Sequence, residues 1–168
     1  MTECTMCAFV QNLYAQFVRY CNVALQPAVL LAVRLLWGFS FYKTGRAKLE
    51  NHGNIVEFFA SLGIPAPELN AWFVGGLECF GGILLMVGLL SRPVAFMMTI
   101  NMVVAYVTAH NAELLGIFSD RDAFAGATPF AYLLTSLLVL AFGPGPVSID
   151  AVIRTFYGKK KDSGCSSS

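Results

Sequence analysis

The chain has 168 residues, enough for one domain, with 57% hydrophobic and only 12% charged residues. Soluble domains carry about 25% charged residues, so half that fraction points to lipid as the main solvent. A net charge of +1 offers no basic field for nucleic acid and removes that class of partner.

The N-terminus does not read as a cleaved signal peptide: it lacks a basic opening, carries Glu3 and has no compact apolar run before a cleavage site. Cys4 and Cys7 form a C-x-x-C. Without a second such pair or a histidine pair it falls short of the four ligands zinc normally takes, so no metal site is expected. Cys21, Cys79 and Cys165 bring the count to five, an odd number without disulfide-framework spacing. Residues 9 to 24 place Phe9, Leu13, Phe17, Cys21 and Ala24 on one helical face, opposite Gln11, Asn12, Gln16, Arg19 and Asn22. That pattern predicts an interfacial amphipathic segment over residues 1–26.

Four apolar stretches approach the roughly 20 residues that a bilayer demands. They run from about Pro27 to Gly45, Ala71 to Leu90, Pro93 to Ala109 and Ala123 to Phe142. Pro129 either starts the fourth or kinks it. Between the first two, Ile55, Phe58, Phe59 and Leu62 form a short amphipathic turn that stops at Gly63 before Pro65 and Pro67. After the fourth come GPGPVSID and a further amphipathic piece around Val152, Ile153 and Phe156. The expected fold is all-α, an integral membrane four-helix bundle over residues 27–158 with interfacial amphipathic helices. Residues 159–168 form a basic, disordered tail. Arg19, Arg92, Arg154 and Lys159 to Lys161 collect on one side, against Lys43, Arg46, Lys48 and Arg121 on the other. Six against four puts both termini in the cytoplasm.

Two charges interrupt the spans. Glu78 shares a face with Gly75 and Gly82, and Arg34 with Gly38, so both point toward a neighbouring helix rather than lipid. With Gly45 and Ala71 as the outer helix ends, Arg34 lies about 16 Å deep and Glu78 about 10 Å deep at about 1.5 Å per residue. A snorkelling arginine spans that difference, so a buried Arg34–Glu78 ion pair is expected. The pair either fixes helix register or lines a polar pocket for a quinone, thiol or other small ligand. Asn101, on a face with Ala105 and Thr108, is the next candidate partner for Glu78. His110 ends the third span, one turn after Tyr106, where Lys43, Arg46, Lys48 and His52 meet it at the same surface. The ligand-pocket candidates are therefore Arg34, Glu78, Asn101, His110 and Lys48. Tyr132 and Ser136 read as packing, and Met97, Met98 and Met102 lack the interleaved ligands of a soft-metal site. No phosphate-binding loop, dinucleotide fingerprint, haem attachment sequence or catalytic triad is visible.

LLAVRLLWGFSFYKTGRAKL, GIPAP, LECFGGILLMVGLLSRPVA and FGPGPVSID, in that order between about residues 30 and 150, resemble the bacterial DoxX family. The matching positions are Arg34, Gly45 and Lys48, Glu78, Gly81 and Gly82, Arg92, Gly143 to Gly145, and Asp150. The resemblance implies a four-helix protein of the bacterial inner membrane. It also implies a link to quinone or thiol redox chemistry, with quinone as the candidate cofactor and nothing covalently bound. On that basis the chain is a subunit of a quinone- or thiol-linked redox system rather than an autonomous enzyme. The alternative is a non-catalytic anchor for redox proteins. The lipid bilayer and redox proteins are the expected partners, and self-association is left open.

Overall fold

The computed structural model describes the backbone of residues 2–164 and the side chains of residues 9–156. The described residues are helical with no strand. Helix α1 (Thr2–Tyr20) runs through a π-helical turn (Cys21–Leu25) straight into α2 (Gln26–Glu50). Proline has no N–H to offer the preceding turn, and the widened turn sits directly before Pro27, with the Gln26 N–H bonding five residues back to Cys21. Residues 2–26 are thus joined to the bundle by continuous helix. Phe9, Leu13 and Phe17 are exposed. The side chains of Cys4 and Cys7 lie outside the described residues.

Helix α3 (His52–Ser61) is the amphipathic piece between the first two long helices, and Gly63 (φ 72°) ends it. Then come α4 (Pro67–Val87), α5 (Ser91–Thr108), the short α6 (Asn111–Leu115) and α7 (Arg121–Gly126), α8 (Thr128–Phe142) and α9 (Ile149–Gly164). Pro129 stands in the first turn of α8, so it starts that helix rather than kinking it. Helix α9 carries the backbone through Lys159–Lys161 to Gly164. Residues 165–168, with Cys165, lie outside the described residues.

Helices α2, α4, α5 and α8 form the bundle: α2 packs on α4 and α8, and α5 on α4 and α8. The α2–α4 seam is closest because glycines line both sides. A Cβ on Gly82 would come within 2.6 Å of the Gly38 carbonyl oxygen and the Tyr42 nitrogen. One on Gly45 would collide with the Cys79 backbone. Small residues let backbones approach this far, and in lipid such packing drives helix association. Phe41, Leu85, Ala95, Met98, Met102 and Val139 form the core, so Met98 and Met102 are core residues. By length and composition, Phe9–Glu50 and Pro67–Val87 can each cross a membrane, and Thr128–Phe142 is a shorter apolar helix. Large apolar side chains point outward all round the bundle, among them Leu36, Phe80, Phe96, Val107 and Leu137. That surface suits lipid and not water.

Candidate ligand site

The seam fixes the register of the two buried charges. Gly45 lies against Glu78 and Cys79, and Gly38 against Gly82 and Met86. Arg34, eleven residues before Gly45, therefore sits about 16 Å along the helix from the level of Glu78. The expected Arg34–Glu78 ion pair does not form. Its geometry assumed that Gly45 and Ala71 were level, whereas Gly45 packs against Glu78 and Cys79, seven to eight residues further along α4 than Ala71. The error is about two helical turns, beyond any snorkelling.

Arg34 is 1% exposed and is spent entirely on backbone carbonyls. Its Nε donates to Leu85 O at 2.9 Å, and its terminal nitrogens donate to Met86 O at 3.1 Å, Val147 O at 3.0 Å and Pro144 O. Leu85 and Met86 lie in the last turn of α4, where carbonyls have no partner within the helix. A cation there also complements the helix dipole. Gly88 (φ 75°) turns the chain, and a Cβ on it would strike the guanidinium. Beside it Asp150 accepts from the Leu90 and Ser91 N–H groups, both at 2.9 Å, at the start of α5. Burial pushes the Asp150 carboxyl up, but the Ser91 and Leu90 N–H bonds and the Arg34 charge outweigh it and hold the carboxyl below the usual range. Arg34 and Asp150 together cap the α4–α5 turn.

Glu78, also 1% exposed, meets different groups. Lys48 Nζ donates to its Oε1 at 2.6 Å, and Asn101 Nδ2 donates to the same oxygen at 3.0 Å. The second oxygen, Oε2, is buried without a hydrogen-bond partner among the described residues. Lys48 reaches Glu78 because it continues the α2 stripe of Arg34, Gly38, Phe41 and Gly45 at helical spacing, which curls its side chain into the seam. Asn101 does what a polar residue in a span commonly does and bonds across helices.

This cluster forms part of the wall of a cavity of about 270 Å³. Lys48, Glu78, Asn101 and His110 line it and Arg34 does not, so four of the five pocket residues inferred from sequence come together. The remaining wall is mostly apolar. Phe41 and Tyr132 meet edge to face at 4.6 Å, α3 contributes Ile55, Phe58 and Phe59, and Pro129 adds the first turn of α8. His110 Nδ1 lies 3.5 Å from Glu113 Oε1. The Glu113 carboxyl is held below its usual range by its own backbone N–H, against slight burial, and then by His110. Phe124 stacks on Tyr106 at 4.9 Å and accepts that tyrosine's hydroxyl hydrogen bond at 2.9 Å, tying α7 over the end of α5. Tyr132 and the α3 wall were not singled out as site residues by sequence reasoning. The legible signal was Phe41, Thr44 and Lys48 on one helical face, pointing where α3 folds back. No cluster of three metal-ligating side chains occurs among the described residues.

A helical membrane bundle with an ion-paired carboxylate facing an internal cavity defines the class of protein. A family model described as DoxX matches residues 29–111. The Mycobacterium tuberculosis protein named "Uncharacterized membrane protein Rv3486" is 33% identical over 74% of this chain and 80% of its own length. The chain belongs to the DoxX family and is a membrane protein. It is also 27% identical to "Putative oxidoreductase CatD" of Bacillus subtilis, over 77% of this chain and 89% of that protein. With "Inner membrane protein YphA" of Escherichia coli it shares 28% identity, over 76% of this chain and 91% of the other. No solved structure matches the chain.

Proposed function

We propose that this protein is the membrane subunit of a quinone-linked redox system and holds a single-ring headgroup in the Glu78 cavity. The observation that carries the reading is a buried carboxylate, fixed by Lys48 and Asn101, facing a cavity whose other walls are largely apolar and aromatic. Charged groups inside a membrane are costly and usually mark a ligand or ion path. An apolar pocket with a few convergent polar groups is the usual form of a small-molecule site, and about 270 Å³ lies at its small end. The ring would lie between Phe41, Tyr132 and the α3 aromatics, with its oxygen toward Lys48 and Glu78. A quinone so bound supplies reversible two-electron chemistry. The chain's own contribution is to orient the ring and exclude water. The relative named as an oxidoreductase supports a redox role.

In this reading the chain crosses the bacterial inner membrane four times, as α2, α4, α5 and α8, with both termini in the cytoplasm. Electrons come from or pass to a partner protein. Purification in mild detergent followed by lipid mass spectrometry tests the ligand: stoichiometric quinone is expected, and its loss in Glu78→Gln with the fold intact. A folded protein with no isoprenoid quinone, and no affinity for an added one, would sink the reading. The second reading, a non-catalytic anchor for redox proteins, is favoured by the exposed Phe9, Leu13, Phe17 and Val23 along the first helix.

A further inference from the structure

Two apolar residues belong to the cavity and to the outer surface of the bundle at once. Phe58 on α3 and Val104 on α5 both line the cavity, yet they are 47% and 48% exposed. At these two positions the cavity wall is no more than one side chain thick. Helix α3 packs on α4 and more lightly on α2, and it has no comparable seam with α5. His52 holds α3 to α4, its ring 4.5 Å from that of Trp72. The end of α5 is tied in the other direction, to α7, where Tyr106 donates to Phe124 O at 2.9 Å. The α3–α5 side of the cavity is therefore its weakest wall.

Lipid lies outside that wall. Val103 and Val107 flank Val104 on α5 and are exposed like it. After Arg92, α5 carries no charged residue to its end at Thr108. This face thus continues the apolar outer surface that suits lipid. The polar groups stand elsewhere: Lys48 and Glu78 project from the α2–α4 seam, and Asn101 reaches toward it.

We infer that the cavity is entered sideways from the bilayer, through the α3–α5 gap edged by Phe58 and Val104. Its ligand is then an amphiphile whose ring sits inside while its apolar tail stays in the lipid. This rests on the quinone-site reading above and deepens it by adding the tail and the way in. A cavity of about 270 Å³ seats a ring and not a long polyprenyl chain. Withdrawing such a chain from lipid costs in proportion to its apolar area, so the ring alone has to move. With polar groups at the α2–α4 seam and an apolar edge at the gap, the ring enters oxygen first.

The test uses the full chain in lipid nanodiscs and a benzoquinone with a decyl tail, carrying a photoactivated diazirine near the ring. Duroquinone, which has no tail, serves as the competitor. Irradiation and peptide mass spectrometry are expected to find label on residues 55–59 and 103–107, and excess duroquinone should remove it. Displaceable label elsewhere, or none at these residues while both quinones bind, would overturn the sideways entry and leave the quinone-site reading standing. Binding of neither quinone would overturn both. Val104→Trp supplies an independent arm, since an exposed position takes a larger side chain without disturbing the core. It should weaken equilibrium binding of the tailed quinone about tenfold, the scale of an overpacked contact, and leave duroquinone binding unchanged. Undiminished binding of the tailed quinone would show that the tail does not pass Val104 and would overturn the inference.

Discussion

The bundle buries two charges to the same degree, and they are built in opposite ways. At the α4–α5 turn, Arg34 gives hydrogen bonds to four carbonyl oxygens that would otherwise lack partners. At the α2–α3 end, Glu78 has one oxygen doubly bonded and the other bonded to nothing. Depth and burial do not distinguish the two groups; completeness of hydrogen bonding does. A fully satisfied buried charge makes a rigid joint with no capacity left over. A half-satisfied one, on a side chain that lines a cavity, has hydrogen-bonding capacity left over.

The sharpest way to break the comparison is to neutralise each charge in turn. Arg34→Met strips the last turn of α4 and the Pro144–Val147 loop of their donor and leaves several buried carbonyls unpaired. Each buried acceptor left without a partner costs about 1–3 kcal/mol. Glu78→Gln keeps an oxygen for Lys48 and Asn101 and should cost much less. Thermal unfolding in detergent is expected to show the larger drop for Arg34→Met. An equal or larger drop for Glu78→Gln would mean that the carboxylate is the structural group.

The reach of the sequence differed between these two ends for a physical reason. Helix placement followed from apolar length and from prolines, and the register within α4 followed from Gly75, Glu78 and Gly82 on one face. The pairing of α2 with α4 did not follow. The helix ends were placed at the last apolar residues, while α2 carries its polar turn of Arg46, Lys48 and Glu50 beyond them. Because α4 also starts before Ala71, the ends alone leave the two charges near each other. The offset comes from Gly45 packing seven to eight residues inside Ala71, against Glu78 and Cys79, which carries Arg34 past Glu78 and brings Lys48 to it. Arg34's true partners are backbone carbonyls, which every residue possesses and no sequence pattern marks. Asn101 was legible because an amide inside an apolar span needs a partner on another helix. The cavity was not, since it depends on α3 folding back over the end of the bundle.

A smaller effect measures the pairing itself. Lys48 and Glu78 are in direct contact, so a double-mutant cycle with Lys48→Met and Glu78→Gln should give a coupling of about 0.5–3 kcal/mol. The same cycle with Arg34→Met and Glu78→Gln should be additive within about 0.5 kcal/mol, as for residues more than 10 Å apart. Chemical denaturation of the four proteins of each cycle supplies the numbers. Coupling in the second cycle as large as in the first would place Arg34 and Glu78 in one network and contradict the register set by Gly45 and Gly82.

The smallest effect is a pH dependence confined to the α4–α5 turn. Asp150 has its carboxyl held below the usual range, the N–H groups of Ser91 and Leu90 and the charge of Arg34 prevailing over burial. Its ionised form is thus favoured more in the folded chain than in the unfolded one, and linkage gives the sign. The stabilisation is fully present above the unfolded value of about 3.9. It fades as pH falls through the lower folded value, where the carboxyl is protonated in both states. Asp150→Asn should therefore lower thermal stability at neutral pH and flatten the acid limb of the melting-temperature profile, with the neutral limb keeping its shape. It should leave quinone affinity unchanged, because the turn it caps lies at the end of the bundle away from the Glu78 cavity. A variant with an unaltered acid limb would show that the N–H groups of Leu90 and Ser91 are held in place without the carboxylate. A change in quinone affinity would show instead that the two ends of the bundle communicate, and the division between joint and site would have to be redrawn.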